Sequence, residues 1–209
     1  MSSSSEYKPE TPLEGEIIEA LTKIISKEGR KQPTFIRIQL QFPKANRAFK
    51  KVKKVFRDLD LDQDESLSLQ EINEAVKTLG GTATEKELKD LFDTADADGG
   101  GDLDFKEFVV FLCVCSLLGH LKEDDCNLNT AFDCVVNAFS VFDTPNHGII
   151  VLSELDDAMN GAGIDVMAER MKEMDNDGDG YVTFPEFLLA FMCWVGSDDD
   201  SDDDSDEDE

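Results

Sequence analysis

Four stretches of the chain repeat one pattern of apolar and polar positions. In each, apolar residues at helical spacing are followed by twelve mostly polar residues that begin with Asp, and a second helical pattern comes after them. A Phe or Met stands four places before that Asp, and an aliphatic residue stands at the eighth place of each polar stretch. The polar stretches are residues 60–71, 96–107, 143–154 and 175–186. The pattern predicts four helix–loop–helix units and an all-α fold.

The spacing of the four loops groups them into two pairs. Their first residues are 36, 47 and 32 positions apart, so the longest interval separates the second loop from the third. We therefore expect an N-terminal lobe over residues 43–119 and a C-terminal lobe over residues 130–195, joined by a linker at residues 120–129. Within each pair, short β pairing is expected between the eighth places, Leu67 with Leu103 and Ile150 with Val182.

Two flanking segments stand outside the lobes. Residues 1–42 form an N-terminal extension with one amphipathic helical stretch, whose apolar positions are Leu13, Ile17, Ala20, Leu21 and Ile24. The pattern of residues 35–42 fits an extended segment or a short helix equally well. An apolar extension of this kind is expected to fill a groove of a neighbouring lobe. Residues 196–209 are almost entirely Asp, Glu and Ser, and this tail is expected to be disordered.

The loops carry the side chains that a calcium ion requires. Calcium takes six to eight oxygen ligands, and a twelve-residue loop supplies them from places 1, 3 and 5, from the carbonyl at place 7, through a water held by place 9, and from a bidentate Glu at place 12. A glycine at place 6 permits the sharp turn. The predicted ligands, with the place-7 residue giving its carbonyl, are Asp175, Asp177, Asp179, Tyr181 and Glu186 in the fourth loop; Asp96, Asp98, Asp102, Asp104 and Glu107 in the second; and Asp60, Asp62, Asp64, Ser66 and Glu71 in the first.

The loops differ in how fully they meet these demands. Loop 175–186 meets all of them. Loop 96–107 has Gly100 at place 5, so a water must replace a side-chain oxygen there, and loop 60–71 has Glu65 at the turn, where a left-handed backbone costs roughly 1–2 kcal/mol. Both are expected to bind more weakly than the fourth loop.

Loop 143–154 departs furthest from the calcium-binding pattern. It keeps Asp143 and Glu154 but carries Pro145, His147 and Val151 at places 3, 5 and 9. Proline offers no side-chain oxygen, and imidazole suits a hard cation poorly. This loop is predicted to bind no metal, which leaves two or three calcium ions for the whole chain.

These loops resemble those of EF-hand proteins of the calmodulin-like superfamily. The resemblance covers about residues 43–195 and rests on the four loops in pairs. The acidic tail and an N-terminal extension that ends in QFPK are similar to those of plant calmodulin-like proteins. The resemblance implies two EF-hand lobes that bind calcium and engage target proteins.

Charge and cysteine content narrow the function classes. Twenty Lys+Arg against 47 Asp+Glu give a net charge of −27, which disfavours nucleic acid and anionic lipid as partners. The basic residues of the first predicted EF-hand helix, Lys44, Arg47, Lys50, Lys51, Lys54 and Arg57, form either a solvated face or a dock for the acidic tail or an anionic surface. The five cysteines include no CxxC pair, which favours reduced thiols in a cytoplasmic or nuclear protein.

The sequence contains neither a membrane span nor an enzyme motif. Its longest apolar run, residues 108–119, is shorter than the roughly 20 residues that a span requires, and it is predicted to be a buried helix. The two histidines flank no plausible nucleophile, and the glycines of loop 96–107 are explained by calcium ligation. We expect a calcium sensor that opens an apolar groove and binds amphipathic helices of target proteins. The alternatives are a calcium buffer and a constitutive EF-hand subunit of a larger complex.

Overall fold

The computed structural model describes residues 7–27, 40–78, 83–121, 128–143, 146–151 and 173–195. In these residues seven α-helices and four two-residue strands follow one another along the chain. They are α1 (Pro12–Ile25), α2 (Phe42–Leu59), β1 (Leu67–Ser68), α3 (Leu69–Thr78), α4 (Glu85–Ala95), β2 (Asp102–Leu103), α5 (Phe105–Leu117), α6 (Leu128–Phe142), β3 (Ile150–Val151), β4 (Tyr181–Val182) and α7 (Phe184–Val195). The predicted all-α fold is confirmed. The acidic tail lies outside the described residues.

Helix α1 confirms the amphipathic helix predicted in the N-terminal extension. It starts where Thr11 caps it, since the Glu14 backbone N–H donates to the Thr11 hydroxyl at 3.1 Å, and Pro12 needs no donor in the first turn. Ile17, Leu21 and Ile25 repeat every four residues and are buried. This face packs against α5 of the first lobe and α6 of the second.

Helix α5 confirms the prediction that the apolar run is a buried helix. Its residues 107–111 and 113–115 are buried in an almost unbroken series, so every side of the helix is covered. Four helices surround it, namely α1, α2, α4 and α7. A helix that is apolar all round is stable only where neighbours shield every face. Helix α5 is therefore the centre of the fold.

The hydrophobic core runs without a break through both pairs of helix–loop–helix units. Helix α2 of the first unit packs along α6 of the third, and α5 packs against α7. The rings of Phe42 in α2 and Phe191 in α7 meet edge to face with centroids 5.4 Å apart. Within the described residues the two lobes thus share one core.

The described core of the second lobe contains five buried phenylalanines, Phe139, Phe142, Phe184, Phe187 and Phe191. Phe139 packs edge to face against Phe184 and Phe187, with centroid distances of 5.5 and 5.4 Å. Met174 and Met192 are buried in the same hydrophobic core. Met159, Met167 and Met171 lie outside the described residues, as do the side chain of Trp194 and residues 35–39.

The four short strands form two antiparallel pairs in the predicted register. Leu67 of β1 lies opposite Leu103 of β2, and Ile150 of β3 lies opposite Val182 of β4. All four side chains are completely buried. Each pair of loops is therefore held together at its eighth place. Among the described residues, no helix has both the length and the apolar character needed to cross a bilayer.

Candidate metal centres

All four loops fold around the carboxylate at their first place. That Asp directly follows helical residues in each loop. Its oxygens accept a hydrogen bond from the backbone N–H at place 6 in all four loops, and also from the N–H at place 5 in every loop except 96–107. The bonds run from Asp64 and Glu65 to Asp60 at 3.2 and 3.1 Å, from Gly101 to Asp96 at 3.0 Å, from His147 and Gly148 to Asp143 at 2.8 Å each, and from Asp179 and Gly180 to Asp175 at 3.1 Å each. The loop conformation thus follows from a contact that the third loop retains.

A left-handed backbone recurs at places 4 and 6 of every loop. At place 6 the φ angles are +67° for Glu65, +89° for Gly101, +78° for Gly148 and +90° for Gly180. At place 4 they are +61° for Gln63, +71° for Gly99, +58° for Asn146 and +75° for Gly178. The expected strain at Glu65 is present, and Gln63 adds a second strained residue that sequence reasoning missed. The first loop is therefore the most strained of the four.

Three loops bring carboxylates together in the way a metal ion requires. The groups are Asp60 with Asp62 and Glu71, Asp96 with Asp98 and Glu107, and Asp175 with Asp177 and Glu186. In each group one oxygen per residue lies within 4.8 Å of the others. These are the predicted ligands of places 1, 3 and 12, and oxygens so arranged suit a hard cation such as calcium.

The glutamate at place 12 is held in position by backbone donors from both ends of its loop. In the fourth loop, one oxygen of Glu186 accepts from Asn176 N at 3.0 Å and the other from Thr183 N at 2.8 Å. Glu107 is bound in the same way by Ala97 and Asp104, and Glu71 by Leu61 and Ser68. Both oxygens therefore face the loop, as bidentate ligation requires.

The remaining predicted ligands occupy supporting positions. At place 5, Asp64 accepts from Ser66 N at 3.0 Å and Asp179 accepts from Tyr181 N at 2.8 Å. Asp104, at place 9, caps α5 and forms a capping box with Glu107. Of the residues predicted to give carbonyls, Asp102 and Tyr181 open β2 and β4, and Ser66 precedes β1. The short β pairing thus fixes the backbone beside each predicted carbonyl ligand.

The electrostatics of the glutamates separate the first loop from the other two. Burial raises the pKa of Glu107 and that of Glu186, and the hydrogen bonds that each accepts offset this effect only in part. Burial also acts to raise the pKa of Glu71, but hydrogen bonds from Leu61 and Ser68 outweigh it, so that pKa is lowered. A cation beside Glu107 and Glu186 would favour their ionised forms.

The second loop contains a buried oxygen that a cation would satisfy. Asp96 Oδ1 is buried and has no hydrogen-bond partner among the described residues. A buried carboxylate oxygen without a partner is costly. Asp98 and Glu107 each place a carboxylate oxygen within 4.8 Å of a carboxylate oxygen of Asp96. The donor set fits calcium, since every group in it is a hard oxygen ligand.

The first carboxylate of the third loop makes the same kind of backbone hydrogen bonds as its counterparts, but it is more deeply buried than they are. Asp143 is 0% exposed, and its two oxygens accept from His147 N and Gly148 N. His147 is exposed. Pro145 and Glu154 lie outside the described residues. In the described part of this loop, the buried Asp143 carboxylate therefore stabilises the backbone turn through these hydrogen bonds.

This chain is similar to known proteins both in its loops and over most of its length. A family model for an EF-hand domain pair matches residues 49–112, and an EF-hand model matches residues 167–192. The probable calcium-binding protein CML21 of Arabidopsis thaliana is 32% identical over 210 residues, which cover 93% of this chain and 89% of that protein. The probable calcium-binding protein CML22 of the same plant is 30% identical over 178 residues, covering 78% of each chain.

A plant kinase family shows a more limited similarity. Calcium-dependent protein kinase 9 of Arabidopsis thaliana is 32% identical over 139 residues, which cover 65% of this chain but 24% of the kinase. The similarity to the two calcium-binding proteins extends over most of both partners, whereas the similarity to the kinase is confined to a quarter of it.

Proposed function

This chain belongs to the calmodulin-like EF-hand calcium-binding proteins, and from that membership we propose that it is a calcium sensor. The observation that carries the proposal is the set of three carboxylate groups, each with a glutamate already oriented at place 12. The role is non-catalytic: calcium changes the shape of the protein, and the changed surface binds another protein.

The loops bind two or three calcium ions in this proposal. Loop 175–186 binds most tightly, because it has carboxylates at places 1, 3, 5 and 12 and glycines at both left-handed places. Loop 96–107 follows, since its place 5 is Gly100. Loop 60–71 is weakest, because Gln63 and Glu65 strain its backbone. Loop 143–154 holds no ion, since Pro145 and Val151 offer no side-chain oxygen at places 3 and 9 and His147 suits a hard cation poorly.

The ligands connect directly to the helices that build the core. Glu107 lies in the first turn of α5 and Glu186 in the first turn of α7, and these helices pack against each other. Two cations, one in loop 96–107 and one in loop 175–186, each draw one glutamate inward and therefore act on the start of two buried helices. In our proposal this movement opens an apolar groove lined by phenylalanines of the core, and an amphipathic helix of a target protein binds there.

A calcium titration of the full chain tests the proposal. Calorimetry counts the bound ions, and an apolar dye reports newly exposed surface; we expect two or three ions and a rise in dye fluorescence. A variant with Glu71→Gln, Glu107→Gln and Glu186→Gln is the matched control, because it keeps the size of each ligand but removes its charge. Calcium uptake without dye binding would indicate a buffer. Target binding without any calcium uptake would indicate a constitutive subunit.

The thiols support a reducing compartment and a non-enzymatic role. Cys113, Cys115 and Cys134 are free and buried. Burial raises the pKa of Cys113 and that of Cys115 to about 12, and the pKa of Cys134 to about 11. Thiols with such values are poor nucleophiles. We propose that the protein acts in the cytoplasm or the nucleus.

The acidic tail has a candidate partner within the chain. Lys44, Arg47, Lys50, Lys51, Lys54 and Arg57 are all exposed on α2. The contact between Phe191 and Phe42 brings the C-terminal half of α7 beside the first turn of α2. The tail follows α7 directly, and fourteen extended residues reach about 45 Å, whereas α2 is about 27 Å long. We propose that the tail docks along this basic face.

Truncation of the tail after Gly196 tests the docking. We expect the backbone NMR resonances of the basic positions of α2 to shift on truncation, and the shifts to vanish when both proteins are compared in about 1 M salt, where the screening length is about 3 Å. Identical α2 resonances at low salt would refute the contact.

A further inference from the structure

The N-terminal segment, residues 7–25, lies on the paired third and fourth loops. Its helix α1 buries Ile17, Leu21 and Ile25 in the core, against α5 and α6. The same helix touches Gly148 of the third loop, and Tyr7, ahead of the helix, touches Tyr181 of the fourth. The contacts with Gly148 and Tyr181 join positions that are more than 120 residues apart in the chain.

The absence of a side chain at Gly148 allows α1 to approach the third loop closely. A Cβ atom built on Gly148 would lie 2.7 Å from the Ile18 carbonyl oxygen and 3.0 Å from Thr22 Oγ1, so any side chain there would collide with the helix. The glycines at the same place in the second and fourth loops, Gly101 and Gly180, have nothing within 4 Å of such an atom. The glycine at position 148 therefore allows α1 to pack closely against the third loop, in addition to permitting the turn.

Tyr7 extends the contact to the metal-binding member of the pair. Its ring centroid lies 4.7 Å from that of Tyr181, the residue predicted to give its carbonyl to calcium. The Tyr7 hydroxyl donates to the Glu14 carboxylate, and Glu10 N donates to the same carboxylate at 2.6 Å. Glu14 thus fastens the start of the segment to α1 while Tyr7 rests on the fourth loop.

The segment also brings negative charge to the fourth loop. Glu10 lies in the segment between Tyr7 and α1, and its backbone N–H donates to the Glu14 carboxylate. Glu10 is three residues from Tyr7, whose ring rests on Tyr181 of the fourth loop, so its charge lies near that loop's carboxylates. Like charges at this range oppose docking, and a dication bound among the loop's carboxylates reduces that repulsion.

We propose that the N-terminal segment is a built-in clamp on the third and fourth loops, and that its docking and calcium binding at loop 175–186 strengthen each other. The third loop, which binds no metal in this proposal, contacts α1 at Gly148. Its strand β3 pairs with β4, where Val151 lies opposite Tyr181, and this pairing connects the contact to the fourth loop. The coupling is reciprocal by thermodynamic necessity, so each event raises the affinity of the other by the same factor. This inference rests on calcium binding at the fourth loop.

NMR of the full chain measures the two events separately. The amide of Gly180 reports calcium at the fourth loop, and that of Gly101 reports the second loop. Docking is followed by hydrogen exchange of the α1 amides and by the cross-peak between the two tyrosine rings, which is unambiguous because the chain has two tyrosines. We expect calcium to slow α1 exchange several-fold and to strengthen the cross-peak as Gly180 titrates.

Two pairs of variants test the coupling from the other direction. Glu10→Gln is expected to lower the calcium affinity of loop 175–186, measured at the Gly180 amide, about twofold, in line with one surface charge pair. Glu19→Gln changes the net charge equally and is expected to leave this affinity unchanged. Gly148→Ala is expected to speed α1 exchange several-fold, whereas Gly101→Ala imposes similar backbone strain without touching α1.

The outcomes separate this inference from the proposed function. The clamp is overturned if the Gly180 amide titrates with calcium while hydrogen exchange of α1 stays the same or becomes faster. It is also overturned if Glu10→Gln and Glu19→Gln have equal calcium affinities. Either result would leave the proposal of a calcium sensor intact. A Gly180 amide that does not respond to calcium would overturn both. Because Glu10 is exposed, its variant gives a result even where Gly148→Ala fails to fold.

Discussion

Ile150 of the third loop lies directly opposite Val182 of the fourth, and both side chains are 0% exposed. Val182 stands between Tyr181 and Thr183, at places 7 and 9 of the loop predicted to bind calcium most tightly. The third loop, although it is predicted to hold no ion, therefore supplies half of the buried contact that fixes the backbone of its partner.

The first prediction concerns this contact. Ile150→Ala removes buried methyl groups opposite Val182, a change that typically costs about 2–5 kcal/mol of folding stability. We expect calcium affinity at loop 175–186 to fall, while loops 60–71 and 96–107 keep theirs. Resolved calcium titrations by NMR measure each loop.

The conservative variant Ile150→Val serves as the control, since it typically costs about 0.5–1.5 kcal/mol and should preserve most of the affinity. An Ile150→Ala protein that folds and binds calcium at the fourth loop as tightly as the parent would show that the two loops act independently.

The second prediction concerns the strained turn of the first loop. Glu65 has a φ of +67°, and Glu65→Gly removes a strain of roughly 1–2 kcal/mol. Glycine's greater freedom offsets part of the gain, so we expect calcium affinity at loop 60–71 to rise by up to about tenfold. Glu65→Ala removes the same charge but keeps the left-handed strain. Equal affinities for the Gly and Ala variants would mean that backbone strain does not limit this loop.

The twelve-residue loops could be predicted from sequence because their structure is local. Asp at place 1, Glu at place 12 and an aliphatic residue at place 8 all belong to one short ring of chain. Their spacing was therefore enough to predict the carboxylate groups and the pairs of Leu67 with Leu103 and Ile150 with Val182, which the structure brings together.

Other features escaped sequence reasoning because their causes are not local. Gln63 gives no residue-type signal for its left-handed backbone; its place 4, where two other loops have glycine, was the available clue. The contacts of α1 with Gly148 and of Tyr7 with Tyr181 depend on packing between distant parts of the chain. The burial of Asp143 follows from the same packing and could not be read from its loop alone.

The third prediction follows from that burial. Asp143→Asn replaces a 0% exposed carboxylate that accepts backbone hydrogen bonds at 2.8 Å from His147 and Gly148. We expect the number of bound calcium ions to stay the same, because this loop is predicted to be empty. The free energy of unfolding should fall by about 1–3 kcal/mol, since hydrogen bonds to a charged group are lost.

Calorimetry and thermal unfolding check the two halves of this prediction separately. Asp175→Asn is the matched change in the fourth loop, and it should remove one ion. Loss of an ion in Asp143→Asn, with the other loops unchanged, would show that the third loop binds metal after all.

The last prediction concerns the second loop, which lacks a side-chain oxygen at place 5. The backbone of Gly100 lies outside the left-handed region, so a side chain is tolerated there. Its Cβ would lie 2.8 Å from Asp98 Oδ1, the end of a flexible side chain that can turn toward a cation. We expect Gly100→Asp to tighten calcium binding at loop 96–107 roughly tenfold, or by about 1.4 kcal/mol, since ligand charge tunes the affinity of such loops.

Gly100→Ala separates the new oxygen from the new side chain. It introduces the same Cβ and the same loss of backbone freedom, but no ligand, so it should leave the affinity near that of the parent. The Gly101 amide follows the second loop in both variants, with Gly180 as an internal reference. If Gly100→Asp and Gly100→Ala titrate alike, then the oxygen at place 5 contributes nothing, and the repulsion among Asp96, Asp98 and Glu107 already limits how much more charge the loop can use.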